Sequence, residues 1–290
     1  MLRGRSAAYL PAYLALCASV LFWGLSFTAS KIALQSLSPF AVLFLRFALA
    51  FVLLLPLAAR RGLPRLSLTG HAKVLAICIL FPGCYFALEI LGLRLTTATN
   101  ASLIAAAIPM MVLALSSLAS RVFPGTRSVA GVAASLAGVV LLVGGGGGPV
   151  NAGDAMMLGA VSSASVYMVA TSRLCESVSP VDLTMLQMFW GAVFFLPFFL
   201  SDVPRWDAVP LAALAAVAGL GIFATVGAFL AYNFALSRVP AATAALFINA
   251  VPVVAVAGAA LVLGESVGIG QMAGGGLILA SVYASARPGA

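Results

Sequence analysis

Charged side chains are scarce in this 290-residue chain: Asp, Glu, Lys and Arg together make up 8% of it, where a soluble domain carries about 25%. That scarcity leaves too little polarity for a water-facing surface of ordinary extent. Histidine occurs once, as His71, and the four cysteines (Cys17, Cys78, Cys84, Cys175) show no CxxC spacing. A metal site needs three or four convergent ligands, so no metal and no cofactor is expected, and the thiols read as buried and free. The glycine run Gly144–Gly148 is never followed by Gly-Lys-Ser/Thr, so no Walker A loop exists to bind ATP phosphates. An intramembrane enzyme would need a nucleophile beside a histidine, or paired acids inside apolar segments. Neither occurs, so this is not an enzyme on its sequence. Repeated carbonyl-filter or polar segments of the channel kind are missing too.

What is abundant is apolar sequence, 63% of the chain with a mean hydropathy of +1.16. It falls into ten runs, at 12–34, 38–58, 73–93, 97–119, 127–144, 153–173, 180–200, 208–233, 240–262 and 267–285. Each is about long enough to cross a bilayer as a helix. The runs are continuous, whereas barrel strands would alternate apolar and polar residues. The first run is too long for a cleaved signal peptide. The fold class is therefore an all-α polytopic membrane protein. The net charge of +8 has a topological meaning. If ten helices alternate, Arg3, Arg5, Arg60, Arg61, Arg65, Lys73, Arg121, Arg127, Arg173, Arg238 and Arg287 all fall on one side. By the positive-inside rule both termini are cytoplasmic, and the basic balance calls for no nucleic acid.

The chain also repeats itself. Ser36-Leu37-Ser38-Pro39 recurs as Ser177-Val178-Ser179-Pro180, and Pro56 and Pro197 follow at equal offsets. Between 93–109 and 236–252, Leu93, Ala98, Ala101, Leu103, Ala107 and Pro109 all meet identical residues. Two five-helix halves, 1–148 and 149–290, follow from this, within one integrated membrane domain. Five is odd, so the second half enters the membrane from the opposite side. Inverted repeats of this kind place substrate sites at the interface between halves.

Several motifs carry a family resemblance: Trp23-Gly24-Leu25-Ser26-Phe27 ending in Lys31, Leu45-Arg46-Phe47, Ala101-Ser102-Leu103-Ile104 with Pro109, and Leu263-Gly264-Glu265. On these the whole chain resembles the EamA-type transporters of the drug/metabolite transporter superfamily, and is similar to the aromatic amino-acid exporters of the YddG type. It departs at Ser120-Arg121-Val122, where a second Gly-Glu pair is expected, and at Ser165-Val166, where a Trp is common. The resemblance implies a secondary transporter working by alternating access, with helices 1, 3, 4, 6, 8 and 9 lining a central cavity. It implies a small-molecule substrate, a lipid-bilayer setting in the plasma membrane (bacterial inner membrane), and a monomer or homodimer.

The candidate lining combines aromatics with a few hydroxyls and amides: Trp23, Ser26, Phe27, Tyr85, Phe86, Glu89, Asn100, Tyr167, Phe229, Tyr232, Thr243 and Asn249. Phe81, Tyr85 and Glu89 recur every fourth residue on one predicted helical face. A mostly apolar pocket with a few orienting polar groups suits amphiphilic solutes, aromatic amino acids first and lipophilic cationic drugs as the alternative. Sugar phosphates would call for convergent cations, and only Arg46 lies deep in an apolar run.

Charges in hydrocarbon cost about 2.5–3.5 kcal/mol each, so Lys31, Arg46, Glu89 and Arg94 need a reason. Glu89 either exchanges a proton or receives a substrate ammonium, or else it forms an ion pair with Lys31, Arg46 or Arg94. Arg46 itself reads as structural, because its repeat counterpart is neutral Gln187. Pro82, Pro109, Pro197 and Pro252 interrupt apolar runs and are candidate hinges or fixed kinks. The stripes Gly131-Ser135-Gly138 and Gly270-Gly274 favour close helix packing, within the chain or across a dimer face.

Overall fold

A computed structural model describes residues 3–61, 67–121, 125–144, 151–174, 179–239, 247–248 and 250–286. Among these residues the chain forms ten helical rods. They are α1 (Arg3–Ala33), α2 (Pro39–Arg61), α3 (Leu68–Leu95), α4 (Ala98–Ser120) and α5 (Thr126–Gly144). The second set is α6 (Ala152–Leu174), α7 (Pro180–Ser201), α8 (Leu211–Ala235), α9 (Val251–Leu263) and α10 (Ile269–Ala286). Six of them (α1, α2, α3, α4, α7 and α8) contain stretches long and apolar enough to span a bilayer by length and composition. Large apolar side chains such as Val52, Val140, Val253 and Leu261 point outward, uncovered by protein. In a membrane protein that is the lipid-facing surface, because hydrocarbon tails solvate them as well as a core would.

The packing pairs reveal the repeat directly. The extensive contacts are α5 with α10, α2 with α7, α3 with α6, α1 with α8, α1 with α9, and α4 with α6. Exchanging the halves turns α1–α8 into α6–α3 and α1–α9 into α6–α4, while α2–α7 and α5–α10 map onto themselves. The set of contacts is thus unchanged by the exchange. Each half inserts its first helix between the third and fourth helices of the other, so the two repeats interlock. With five crossings per half, the repeats are inverted.

Two internal irregularities obey the same relation, whereas the π-helical end of α9, Ala259–Leu263, has no match in α4. α3 contains a π-helical segment, Ile79–Cys84, in which Phe81 leaves helical geometry just before Pro82. α8 contains a π-helical segment at Leu220–Gly227, the matching stretch of the second repeat. Proline explains the first, since it removes a backbone donor and crowds the preceding turn. The second has no proline. There Thr225, at the place Pro82 occupies in α3, donates its hydroxyl to the carbonyl of Leu220 and competes with the backbone ladder. In α4 the helix breaks at Ala106–Ala107 and Pro109 opens the next segment, Ile108–Ser120. Pro252 likewise sits in the first turn of Val251–Gly258. Pro197, by contrast, lies inside an unbroken α7.

The glycine stripes bring α5 and α10 together within the chain. A Cβ at Gly138 would stand 2.7 Å from the Gly274 carbonyl oxygen, so backbone touches backbone there. At the far ends of α4 and α9 the repeat departs from itself. Gly264 closes α9 with φ +69°, and its counterpart Arg121 closes α4 in the same left-handed region at φ 55°. A side chain there crowds the backbone, which glycine avoids. Arg121→Gly is therefore expected to raise stability by about 0.5–1 kcal/mol, read as a higher unfolding temperature in detergent micelles.

Candidate functional site

Where the breaks of α3 and α8 face α2 and α7, polar side chains enter the apolar core. Arg46, in the second turn of α2, is only 4% exposed. Its Nε donates to Thr225 Oγ1 at 2.8 Å, at the break of α8. Its guanidinium lies 4.6 Å from the Phe86 ring centre and 5.8 Å from that of Phe47. A desolvated cation over a ring recovers about 2 kcal/mol, part of the cost of burying it. On α3, Tyr85 donates its hydroxyl to Glu89 Oε1 at 2.9 Å, one turn on. Arg46 and Glu89 are farther apart than the 4.0 Å of an ion pair. Among the described residues the only pair that close is Arg205–Asp207, at the surface.

The equivalent position in α7 holds Gln187. Its Nε2 donates to Tyr167 Oη at 2.8 Å and reaches the Phe81 carbonyl, at the break of α3, at 3.5 Å. Ser163 of α6 satisfies the neighbouring Leu80 carbonyl at 3.0 Å. Neighbouring helices thus bring side-chain donors to the carbonyls at the break, although the Leu80 carbonyl also keeps the Tyr85 N–H. Phe81 packs between Tyr85 and Tyr167 of α6, with ring centres 5.0 and 4.8 Å away, although its non-helical backbone takes it off the helical face of Tyr85 and Glu89. On the facing side, Trp23 of α1 packs against Phe229 and Tyr232 of α8 at 5.6 and 5.4 Å. Six aromatic residues of the candidate lining therefore stand in two groups, Tyr85 and Phe86 with Tyr167, and Trp23 with Phe229 and Tyr232, and each group combines residues of both repeats. A narrow cleft lined by Leu54, Met185, Met188, Thr225, Phe229 and Asn233 includes the threonine that holds Arg46, and its interior of about 10 Å³ admits a single water.

Other sequence candidates lie elsewhere. Ser26 donates back to its own helix at the Trp23 carbonyl, and Phe27 is buried in a core cluster with Ala98, Ile104 and Ala255. Asn100 spends its amide on a network at one end of the bundle. Its Nδ2 donates to both oxygens of Asp154 (3.3 and 3.2 Å), and its Oδ1 accepts from Gln271 at 2.6 Å. Thr96 Oγ1 also donates to Asp154. Glu265 accepts the backbone N–H groups of Ala98 and Thr99 (2.8 and 2.9 Å), capping α4 where its dipole favours an anion. Lys31 and Arg94 line a separate cleft of about 420 Å³ with Gln35 and Glu265, at the same end. Neither is within ion-pair distance of Glu89. Thr243 and Asn249 lie outside the described residues.

Sequence reasoning gave Asp154 and Glu265 no such roles. The signal was there: Asp154 is the acid in the first turn of α6, and Thr96, Asn100 and Gln271 all sit near helix starts at the same end. Among the described residues, no three His, Cys, Asp or Glu side chains gather into a metal-binding group.

Comparison with known proteins identifies the family. The EamA-like transporter family matches the chain twice, at residues 10–144 and 151–287. A protein of Archaeoglobus fulgidus named only as an uncharacterized transporter is 30% identical over 284 residues, covering 95% of this chain and 98% of its own. A probable terminal-alkyne amino-acid exporter of Streptantibioticus cattleyicolor is 28% identical, covering 92% and 91%. A probable amino-acid metabolite efflux pump of Salmonella typhimurium is 26% identical, covering 91% of each chain. A crystal structure 21% identical in sequence superposes with a TM-score of 0.63 over 97% of this chain and 96% of its own, a likeness of fold.

Proposed function

The chain belongs to the EamA-like transporter family, and within it we propose that this integral membrane protein exports amino acids with apolar or aromatic side chains. Transport proceeds by alternating access between the halves 1–148 and 149–290, with both termini cytoplasmic and the plasma membrane as the site of action. The observation that carries this reading is the centre between the repeats. Aromatic rings from both halves surround a few orienting polar groups, which is the composition of a pocket for an amphiphilic solute. Two similar proteins bear amino-acid export names, which supports the same substrate class. The buried guanidinium of Arg46 disfavours lipophilic cations, because like charge in a low-dielectric site repels strongly. Repeats that exchange roles supply the inward- and outward-open forms.

Proteoliposomes loaded with labelled phenylalanine test the reading. Efflux above empty liposomes, inhibited by tryptophan and leucine but not by a cationic drug or a sugar phosphate, is the expected outcome. No efflux from protein shown to be folded refutes the substrate class.

A further inference from the structure

We propose that Arg46 and Glu89 are the two ends of a clamp for the amino-acid headgroup. The guanidinium takes the α-carboxylate and the Glu89 carboxylate takes the α-ammonium. This rests on the amino-acid reading above and assigns its recognition residues.

Three observations carry it. First, Arg46 is buried yet underused. A guanidinium has five N–H donors, and among the described residues only Nε has an acceptor, Thr225. The four N–H groups on the terminal nitrogens find none, and these nitrogens keep a little accessible surface in a residue only 4% exposed overall. A carboxylate is the ligand that would satisfy two of them at once, in the parallel geometry guanidinium favours. Second, the acid that could have neutralised Arg46 does not pair with it. Glu89 accepts a single hydrogen bond, from Tyr85, through Oε1. Oε2 has no partner among the described residues, and no cation lies within 4.0 Å. A guanidinium and a carboxyl group, neither with an oppositely charged partner within 4.0 Å among the described residues, match a zwitterion of opposite sense.

Third, the second repeat separates structure from charge. Gln187, equivalent to Arg46, bridges α7 to the break of α3 with a neutral amide, as Arg46 bridges α2 to the break of α8. Tyr232, equivalent to Glu89, packs on Trp23 without charge. Bridging the breaks therefore needs only hydrogen bonding. Full charges in hydrocarbon are costly and call for another reason. Phe86 beneath the guanidinium holds its plane, and Thr225 fixes the Nε edge, so the terminal nitrogens are oriented before a ligand arrives. Thr225 also lines the cleft with Phe229, Met185 and Met188, an apolar wall for the side chain. Methionines adapt readily to differing shapes.

The test is competition against labelled phenylalanine efflux by two analogues, phenethylamine without the carboxylate and 3-phenylpropionate without the ammonium. In the wild type each is expected to compete about 10- to 100-fold more weakly than phenylalanine, the worth of a lost charge-assisted contact. Arg46→Gln should close the gap for phenethylamine only, and Glu89→Gln the gap for 3-phenylpropionate only. Glutamine already serves at the matching position of α7, which favours folding of Arg46→Gln. Should either variant misfold, Arg46→Lys and Glu89→Asp, which keep the charge at a shorter reach, replace it, each expected to narrow only its own analogue's gap. Equal competition in the wild type still overturns the clamp. Phenylalanine efflux with all three competitors equal, or gaps unchanged in folded variants, overturns the clamp and leaves the amino-acid reading standing. Absence of wild-type phenylalanine efflux overturns both.

Discussion

Gly153→Ala is expected to destabilise the protein by about 2–3 kcal/mol, the cost of forcing an extra methyl into a close-packed contact. A Cβ at Gly153, in the first turn of α6, would stand 2.6 Å from the Gly92 carbonyl oxygen, 2.7 Å from the Thr96 nitrogen and 2.9 Å from the Leu95 carbonyl carbon. All three are backbone atoms of the other repeat or its adjoining turn, so no side chain can swing away. Gly92→Ala meets the same contact from the α3 side, at 2.8 Å from the Gly153 oxygen. The two losses should therefore add to less than their sum. Gly219→Ala is the control. Nothing lies within 4 Å of its Cβ position, so it should melt with the wild type or slightly above it. Thermal unfolding in detergent micelles reads all three. A Gly153→Ala protein as stable as Gly219→Ala would mean that α3 and α6 do not approach backbone to backbone.

Asp154→Ala should cost about 2–4 kcal/mol in the same assay. Its carboxylate is 2% exposed and accepts from Thr96 and from Asn100. Removing it strands one buried donor, Thr96, and one half-buried donor, Asn100, each costing about 1–3 kcal/mol. Asn100 in turn holds Gln271 of α10, so one acid ties together the ends of α3, α4, α6 and α10. Asn100→Ala on the Asp154→Ala background should add little, since both remove one network. Full additivity would show that Asp154 and Asn100 act separately. An exposed acid such as Asp202 carries no such network, and Asp202→Ala should leave the unfolding temperature near that of the wild type.

Much of this was legible in the residues. Bilayer length and the absence of water-facing polarity fixed the helical class, because only helices satisfy the backbone over continuous apolar runs. Pro82 marked the break of α3, and the paired prolines at 109 and 252 marked restarts in α4 and α9. The break of α8 was not legible by composition, as it has no proline. Only its alignment with α3 points to it, through Thr225. The small-residue stripes of α5 and α10 predicted close packing but could not say whether the partner was the same chain. Asn100 had the polarity of a cavity residue. Its amide is instead taken by Asp154 and Gln271, groups 54 and 171 positions away.

The sequence by itself determined ten crossings, the duplication and the family, since each is written in composition, period and local motif. Tertiary structure decided what each polar group does. Arg46 read as structural because Gln187 is neutral, yet only the folded contacts show that Gln187 performs the bridging without charge. The physical reason is distance along the chain. Arg46 meets Thr225 across 179 residues and Glu265 meets Ala98 across 167. Local partners satisfy some polar side chains, as Tyr85 with Glu89, but for Arg46 and Glu265 the partner is known only once the helices are packed.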